Sequence, residues 1–297
     1  MIAEPMISMI AGWAVQTGLT VGLLVGLVLL IRRPFASLFG AEASYWLWLL
    51  PAIRLFLPTI AVLPPTQPSE TVAPLLQNSL EAPPILSPGI TTTAAQANPI
   101  NWTLILVGLW LGVGIMWFAW NLLRHYKFRR SVLSNSTSDA RLIPLSEEIS
   151  REIGLRKAPP IYLASDQIGP LVMGVWNKVI ILPRNFDNSF TPSQQRHVLL
   201  HELMHIRRAD ILIAHLVLAF RALNWPNPLI HIAAPAFRAD QEAACDSAVI
   251  RYDTDAADYA GTLLKAARYS EPKSESALNL ALTESSPSQP TPLEIDK

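Results

Sequence analysis

The sequence predicts an α+β membrane protein in which three transmembrane helices precede a cytoplasmic domain with a small β-sheet, a long helix and a membrane-associated helical hairpin. Three observations predict this class. Of the 297 residues, 51% are hydrophobic and only 15% are charged, which is too apolar for a purely soluble protein. Three long apolar segments lie within the first 124 residues. After residue 130, short runs of β-forming residues are followed by helical periodicity.

Charge balance and cysteine content narrow the class further. The formal net charge is zero, which gives no reason to expect direct nucleic-acid binding. The chain has one cysteine, Cys245, so it cannot form an internal disulfide framework. We interpret Cys245 as a small buried packing residue.

The first span is predicted over residues 5–31, which carry no charged side chain and end at Arg32-Arg33. Such a run can cross a hydrocarbon core of about 30 Å at a rise of about 1.5 Å per residue. Because the basic pair follows the run instead of preceding it, we expect a retained helix and not a cleaved signal peptide. A second span is predicted over residues 43–63 and a third over residues 100–124.

Basic residues predict the orientation of these spans. They flank the first span at Arg32-Arg33 and the third at Arg124 and beyond, whereas residues 64–99 contain neither Lys nor Arg. The amino terminus is therefore expected outside and the chain after Arg124 in the cytoplasm. The predicted division is two transmembrane helices in residues 1–63, a Pro-rich extracytoplasmic linker in 64–99, a third transmembrane helix in 100–124, a cytoplasmic domain in 125–270 and a disordered tail in 271–297.

The cytoplasmic domain is expected to begin with a short amphipathic helix over residues 145–155. Three short runs rich in β-branched and apolar residues follow, at 161–164, 171–175 and 179–182. Their length and the turn residue Gly174 predict a small β-sheet.

The next helix begins at a strong sequence signal. Thr191 is suited to the N-cap, Pro192 to the first helical position, and Gln194 to the reciprocal bond of a capping box. We expect the helix to extend from there towards Asp210, with its apolar side chains buried.

This helix carries the H-E-x-x-H sequence of a zinc site, from His201 to His205. Two histidines four residues apart lie on one helical face, close enough to share a metal ion. Glu202 lies one step round the same turn, where it can act on the attacking water. The spacing predicts a hydrolytic site that uses zinc (Zn2+).

A catalytic zinc ion needs a third protein ligand. A histidine six residues after the second would fall at Ile211, which excludes that type of site. Glu242 is the predicted third ligand, and Asp246, one turn later, is expected to accept the free ring N–H of one histidine. Two competing carboxylates, Asp210 and Asp240, are interpreted as solvated surface groups.

Together with these motifs, the chain contains Asn227-Pro228-Leu229 and the stretches 169–174 and 180–183. In these features it resembles the membrane-bound metallopeptidases of the BlaR/MecR antirepressor family. The resemblance implies a gluzincin-type, zincin-like domain at a bacterial inner membrane. It also implies a signalling protease that cleaves a cytoplasmic transcriptional repressor, with a winged-helix repressor as candidate partner, or itself.

In zincin proteases the strand beside the metal helix pairs with the substrate backbone. Here that edge is expected at Gly169, Pro170, Leu171 and Val172, and it would continue to Met173. The predicted partner at this edge is therefore a peptide or protein substrate.

Residues 211–225 are apolar enough for a fourth span, but such a span would separate Glu242 from the two histidines. At helical rise they cover only about 22 Å, and the chain then reverses at Trp225-Pro226-Asn227-Pro228. We therefore predict a helical hairpin over residues 211–237 that packs against the lipid bilayer or enters it and returns.

The predicted function is that of an integral membrane zinc metalloendopeptidase with Glu202 as the general base. An oxyanion-stabilising donor is also expected, and the sequence offers four candidates: His197, His215, Tyr252 and Tyr259. One alternative is a membrane-protein quality-control protease similar to the HtpX group. Another is a non-catalytic membrane signal transducer whose zinc is structural. The Glu-x-x-Cys-Asp form of the second motif favours the signalling protease.

Overall fold

The computed structural model describes residues 3–57, 101–165, 168–252 and 255–269. In these residues the protein is mostly helical, with one small mixed sheet. The predicted linker at 64–99 and the predicted tail at 271–297 lie outside the described residues.

Two of the described helices are long and apolar enough to cross a membrane, α1 (Ala3–Phe39) and α4 (Trp102–Ser134). Their apolar segments have mean hydropathies of 2.2 and 1.9. Most side chains along α4 stay exposed on the protein surface, as expected of a helix that meets lipid. Helix α4 continues past its apolar part and ends at Ser134.

The predicted second span is not confirmed. Residues 41–57 form two short helices, α2 (Ala41–Trp46) and α3 (Leu49–Arg54), and the predicted span continues beyond the described residues. Tyr45 of α2 and Trp48 pack against Phe237, at ring separations of 5.5 and 5.8 Å. These contacts hold the segment on a later helix of the molecule.

The sheet contains the three predicted strands and one short addition. Its strands are β1 (Thr137–Ser138), β2 (Ile161–Ala164), β3 (Leu171–Met173) and β4 (Val179–Pro183), in the spatial order β1-β2-β4-β3. Strands β2 and β4 are parallel, and the other two pairs are antiparallel. β4 is buried along its whole length, whereas β3 forms an edge.

Helices α5 (Ile143–Glu152), α6 (Phe186–Ser189) and α7 (Pro192–Arg207) complete the core around the sheet. The predicted capping box at the start of α7 is confirmed: Thr191 Oγ1 accepts from the Gln194 amide, and Gln194 Oε1 accepts from the Thr191 amide. Leu199, Leu200 and Leu203 are fully buried, so α7 runs through the centre of the domain.

The predicted helical hairpin is present. Helix α8 (Asp210–Leu223) runs out from the end of α7, the chain turns, and α9 (Pro228–Ile250) returns. α9 continues through Pro235, so the returning arm of the hairpin and the helix that carries Glu242 are one element. The last described helix, α10 (Ala256–Tyr269), packs on α7.

Candidate metal centre and active site

His201, His205 and Glu242 converge at one point. The two Nε2 atoms are 3.1 Å apart, and Glu242 Oε2 lies 3.4 Å from His205 Nε2 and 3.8 Å from His201 Nε2. Ligands bound about 2.0–2.1 Å from a tetrahedral zinc ion are about 3.3–3.4 Å apart. The donor set therefore fits zinc in both its chemistry and its spacing.

The other ring nitrogen of His201 faces two oxygen atoms from separate helices. Tyr259 OH lies 2.8 Å from His201 Nδ1 and donates to Asp246 Oδ1 at 2.8 Å, while Asp246 Oδ1 is 3.2 Å from the same nitrogen. Because the Tyr259 hydroxyl donates its hydrogen to Asp246, its oxygen accepts a hydrogen bond from the N–H at His201 Nδ1. This leaves the lone pair of the neutral ring on Nε2, facing Glu242 and His205.

His205 is held by a carboxylate that we predicted to be solvated. Asp210 is 4% exposed, and its Oδ2 lies 2.7 Å from His205 Nδ1. Gln241 and Arg208 donate to the same carboxylate at 3.3 Å each. The prediction was wrong because Ala209 adopts a left-handed conformation (φ 58°), which turns the chain so that Asp210 reaches back to His205.

Asp240 is also not a solvated surface group. It accepts from Arg32 of α1 and from the Trp48 indole, each at 2.8 Å, and its side chain is 13% exposed. Both donors are more than 190 positions away in sequence, so no local pattern could indicate them. Asp240 therefore ties α9 to α1 at the residue that follows its apolar run.

The electrostatics of the site favour a bound cation. Burial disfavours a charged ring at His205, but hydrogen bonds to Asp210, Cys245 and Glu242 together outweigh it and hold the pKa of His205 well above its usual value. Burial likewise opposes ionisation of Glu242, but the hydrogen bond with His205 and nearby cationic groups lower its pKa to about 2. A proton or a metal ion at this point is stabilised by the same carboxylates.

Glu202 lines the same cleft as the two histidines and Glu242. Burial raises the pKa of its carboxyl group, and the two neighbouring imidazoles oppose this effect. A carboxylate with raised proton affinity beside the metal site is suited to accept a proton from water and pass it on.

Cys245 also approaches the histidines. The ligand atoms of His201, His205 and Cys245 lie within 4.8 Å of one another. Burial, however, raises the pKa of the Cys245 thiol, and the side chain is fully enclosed in the core. Glu242 is ionised and lines the cleft, so it is the better third ligand and Cys245 packs beside it.

A cleft of about 520 Å³ opens over these residues. One wall is the stretch from Ile168 to Trp176, which includes the edge strand β3 and all four predicted substrate-strand residues: Gly169, Pro170, Leu171 and Val172. The opposite walls come from α8, α9 and the C-terminal half of α4, including Tyr126 and Arg129. The edge strand β3 and Glu202 therefore line the same cleft.

Of the four predicted oxyanion donors, only His215 lines the cleft. His197 is buried against Thr262, Tyr252 bonds to Arg207, and Tyr259 lies behind His201. His215 Nδ1 donates to the Ile211 carbonyl at 2.7 Å, which leaves Nε2 as the ring nitrogen available to the cleft.

Arg238 is a further candidate donor that was not among the four predicted residues. It lines the cleft, and its Nε donates to Glu242 Oε1 at 2.9 Å. A guanidinium group is always charged and can donate from several nitrogens at once. The sequence signal was its position one turn before Glu242, on the face that carries the ligand.

Comparison with known proteins gives one family match and several similar proteins. A profile of the family described as BlaR1 peptidase M56 matches residues 13–287. The chain is 34% identical over 82 residues to the regulatory protein BlaR1 of Bacillus licheniformis, and 27% identical over 96 residues to the methicillin resistance mecR1 protein of Staphylococcus aureus strain Mu50. These segments are 28% and 32% of this chain, but only 14% and 16% of the two relatives.

Proposed function

The chain belongs to the BlaR1 peptidase M56 family. We propose that it is an integral membrane zinc metalloendopeptidase whose cytoplasmic domain hydrolyses peptide bonds. The observation that supports this most is the separation of 3.1–3.8 Å between the ligand atoms of His201, His205 and Glu242, beside a cleft with an edge strand. A zinc ion would be held by these three residues.

Zinc bound at this position would lower the pKa of water and polarise the scissile carbonyl group. The rest of the reaction is assigned to side chains of the protein. Glu202 takes the proton from the attacking water and delivers it to the leaving amine. Asp210 and Asp246 hold the imidazoles of His205 and His201 in one orientation.

We assign to Arg238 the stabilisation of the negative charge that develops on the carbonyl oxygen. Its guanidinium lies in the cleft and is anchored through Nε, which leaves its other nitrogens to reach substrate. Donors fixed before reaction stabilise an oxyanion without reorganisation. β3 would align the substrate backbone by strand addition, since it is an edge of the sheet and lines the cleft.

We further propose a role in signalling, in which the protease cleaves a cytoplasmic transcriptional repressor or itself. This rests on the two relatives, whose names are regulatory protein BlaR1 and methicillin resistance mecR1 protein. The cytoplasmic placement rests on basic residues at the inner ends of α1 and α4, such as Arg32 and Arg124.

Proteolysis by the purified full chain in detergent tests the proposal. An unbiased peptide library is incubated with the protein, and new termini are identified by mass spectrometry. We expect cleavage by the wild type that stops on addition of a chelator and returns with zinc. Glu202→Gln should bind zinc but lose cleavage, whereas the exposed control Glu147→Gln should cleave normally.

Cleavage that survives both the chelator and Glu202→Gln would contradict the zinc mechanism. Stoichiometric zinc binding by a wild-type protein that yields no new termini would instead support a structural role for the metal. The two outcomes are separated by measuring zinc content on the same preparations.

A further inference from the structure

The tip of the α8–α9 hairpin contacts the middle of both candidate membrane spans. On one side Trp110 of α4 donates to the Leu223 carbonyl at 2.9 Å, and Trp225 donates back to the Trp110 carbonyl at 3.0 Å. On the other side the side-chain amide of Asn227 donates through Nδ2 to the Gly18 carbonyl of α1 at 3.3 Å. The tip is thus enclosed between α1 and α4.

Glycines in the two spans permit this approach. A Cβ atom at Gly114 of α4 would lie 2.6 Å from the Ala222 carbonyl oxygen, and one at Gly22 of α1 would lie 2.7 Å from the side-chain nitrogen of Asn227. The hairpin and the spans therefore meet in close packing, as small residues allow between helices in a bilayer.

Both spans give the same depth for the tip. At about 1.5 Å per residue, Gly22 lies about 15 Å and Gly18 about 21 Å from Arg32, which marks the inner end of the apolar part of α1. Gly114 and Trp110 lie about 15 and 21 Å from Arg124, which marks the same end in α4. A hydrocarbon core is about 30 Å thick, so the tip falls at or just beyond its middle.

Ionisable side chains near the tip of the hairpin are buried. Arg221 is 4% exposed, stacks 5.1 Å from the Trp117 ring centroid and lies 3.4 Å from His231 Nδ1. His231 Nε2 in turn donates to the Trp225 carbonyl at 2.9 Å. Side chains thus satisfy backbone groups of the turn, as an environment without water requires, and ionisable residues face the helix bundle.

The outer face of the hairpin carries large apolar side chains, Leu212, Leu216 and Ile232, which are 41%, 60% and 60% exposed. Helices α1 and α4 also expose large apolar side chains, such as Leu23 and Leu109. We propose that α8 and α9 form a re-entrant hairpin whose tip reaches the middle of the bilayer and whose outer face binds lipid acyl chains.

Helix α9 then begins inside the membrane and carries Glu242 outside it. It passes Arg32 at Asp240, two residues before the proposed metal ligand. The hairpin is therefore a lipid-contacting surface built from the helix that supplies a ligand to the active site. The inference does not depend on proteolytic activity, only on α1 and α4 crossing a bilayer.

Site-directed spin labelling of the full chain in lipid nanodiscs tests the proposal. Cysteine is introduced singly at Leu216 or Ile232, with Leu23 of α1 as the lipid-facing control and Leu264 of α10 as the water-facing control. These four side chains have similar exposures, 60%, 60%, 74% and 63%. Wild type, whose buried Cys245 should stay unlabelled, is the blank.

We expect labels at Leu216→Cys and Ile232→Cys to collide with oxygen in preference to a water-soluble nickel chelate, as at Leu23→Cys and unlike Leu264→Cys. Nickel-accessible labels at the hairpin would overturn the proposal, because the face would then meet water. Labels shielded from both reagents would also overturn it, because protein would cover the face. Nickel access at Leu23→Cys would show that α1 does not cross the bilayer, and this would also overturn the proposal.

Discussion

At the scale of single residues, each proposed metal-binding imidazole is oriented by a carboxylate from another part of the chain. Asp246 reaches His201 from α9, and Asp210 reaches His205 from the start of α8. A carboxylate on the remote nitrogen fixes the tautomer and increases the basicity of the ligand. The site is therefore prepared for a cation before one binds.

Asp210→Asn should weaken zinc binding by about 10–100-fold, the usual effect of losing a hydrogen-bonded carboxylate behind a histidine ligand. Competition with a chromophoric chelator measures this affinity without reference to catalysis. Asp258→Asn, at a half-exposed aspartate on α10, is the matched control and should leave the affinity unchanged. Equal affinities in all three proteins would show that Asp210 does not orient His205.

Arg238→Gln should lower kcat by about 10²–10³-fold with a much smaller change in KM, because the donor is needed mainly when charge develops on the carbonyl oxygen. Steady-state kinetics and zinc content are measured together. Arg156→Gln, at an exposed arginine, is the control. If the loss of rate follows a loss of zinc, Arg238 acts only through Glu242 and the oxyanion assignment is wrong.

At the scale of elements, the main feature is that α9 combines two tasks. Its first half packs against α1 through Ile230, Ala233 and Phe237, and its second half supplies Glu242 and Asp246. Pro235 lies between the two halves without ending the helix. A displacement of the hairpin relative to α1 would therefore also move Glu242 at the proposed metal site.

The contact between α4 and α8 is tested by adding one methyl group. Gly114→Ala should destabilise the protein by about 1–3 kcal/mol, because its Cβ would meet the Ala222 carbonyl. Gly112→Ala, two positions away on the same helix with open space around it, should have little effect. Thermal unfolding in detergent gives the difference in Tm. Equal Tm values would mean that α4 and α8 do not pack this closely.

At the scale of the whole molecule, Asp240 links the candidate membrane span α1 to the helix that carries the proposed metal ligand Glu242. Its carboxylate receives Arg32 from the first span and Trp48 from the segment after it. Because both charged side chains are largely buried, removing one partner leaves an uncompensated charge. The pair is therefore expected to matter more than an ion pair at the surface.

Asp240→Ala should cost about 3–5 kcal/mol in the free energy of unfolding, and the double variant with Arg32→Met should recover part of this loss. The exposed pair between Glu42 and Arg251 also joins the first half of the chain to α9, and it serves as the control. Breaking it should cost no more than about 1 kcal/mol. Strictly additive effects at Arg32 and Asp240 would contradict the linkage.

Features that depend on short-range spacing could be predicted from the amino-acid sequence. The apolar run before Arg32, the capping box at Thr191, the strands 161–164 and 179–182 and the turn at Trp225-Pro226-Asn227-Pro228 all appear where they were predicted. Each is set by hydrophobicity, backbone geometry or hydrogen bonds within a few residues. For the same reason the pairing of His201 with His205 on one helical face followed from sequence alone.

Contacts between groups far apart in the sequence depend on how the helices pack. The sequence predicts solvated groups at Asp210 and Asp240, but one is enclosed by His205 and Gln241 and the other by Arg32. Arg238 and Tyr259 lie near the proposed metal site because α9 and α10 pack beside α7. Sequence patterns describe the face of a helix that is buried, whereas the partner of a buried charge depends on how separate helices pack, which no local spacing encodes.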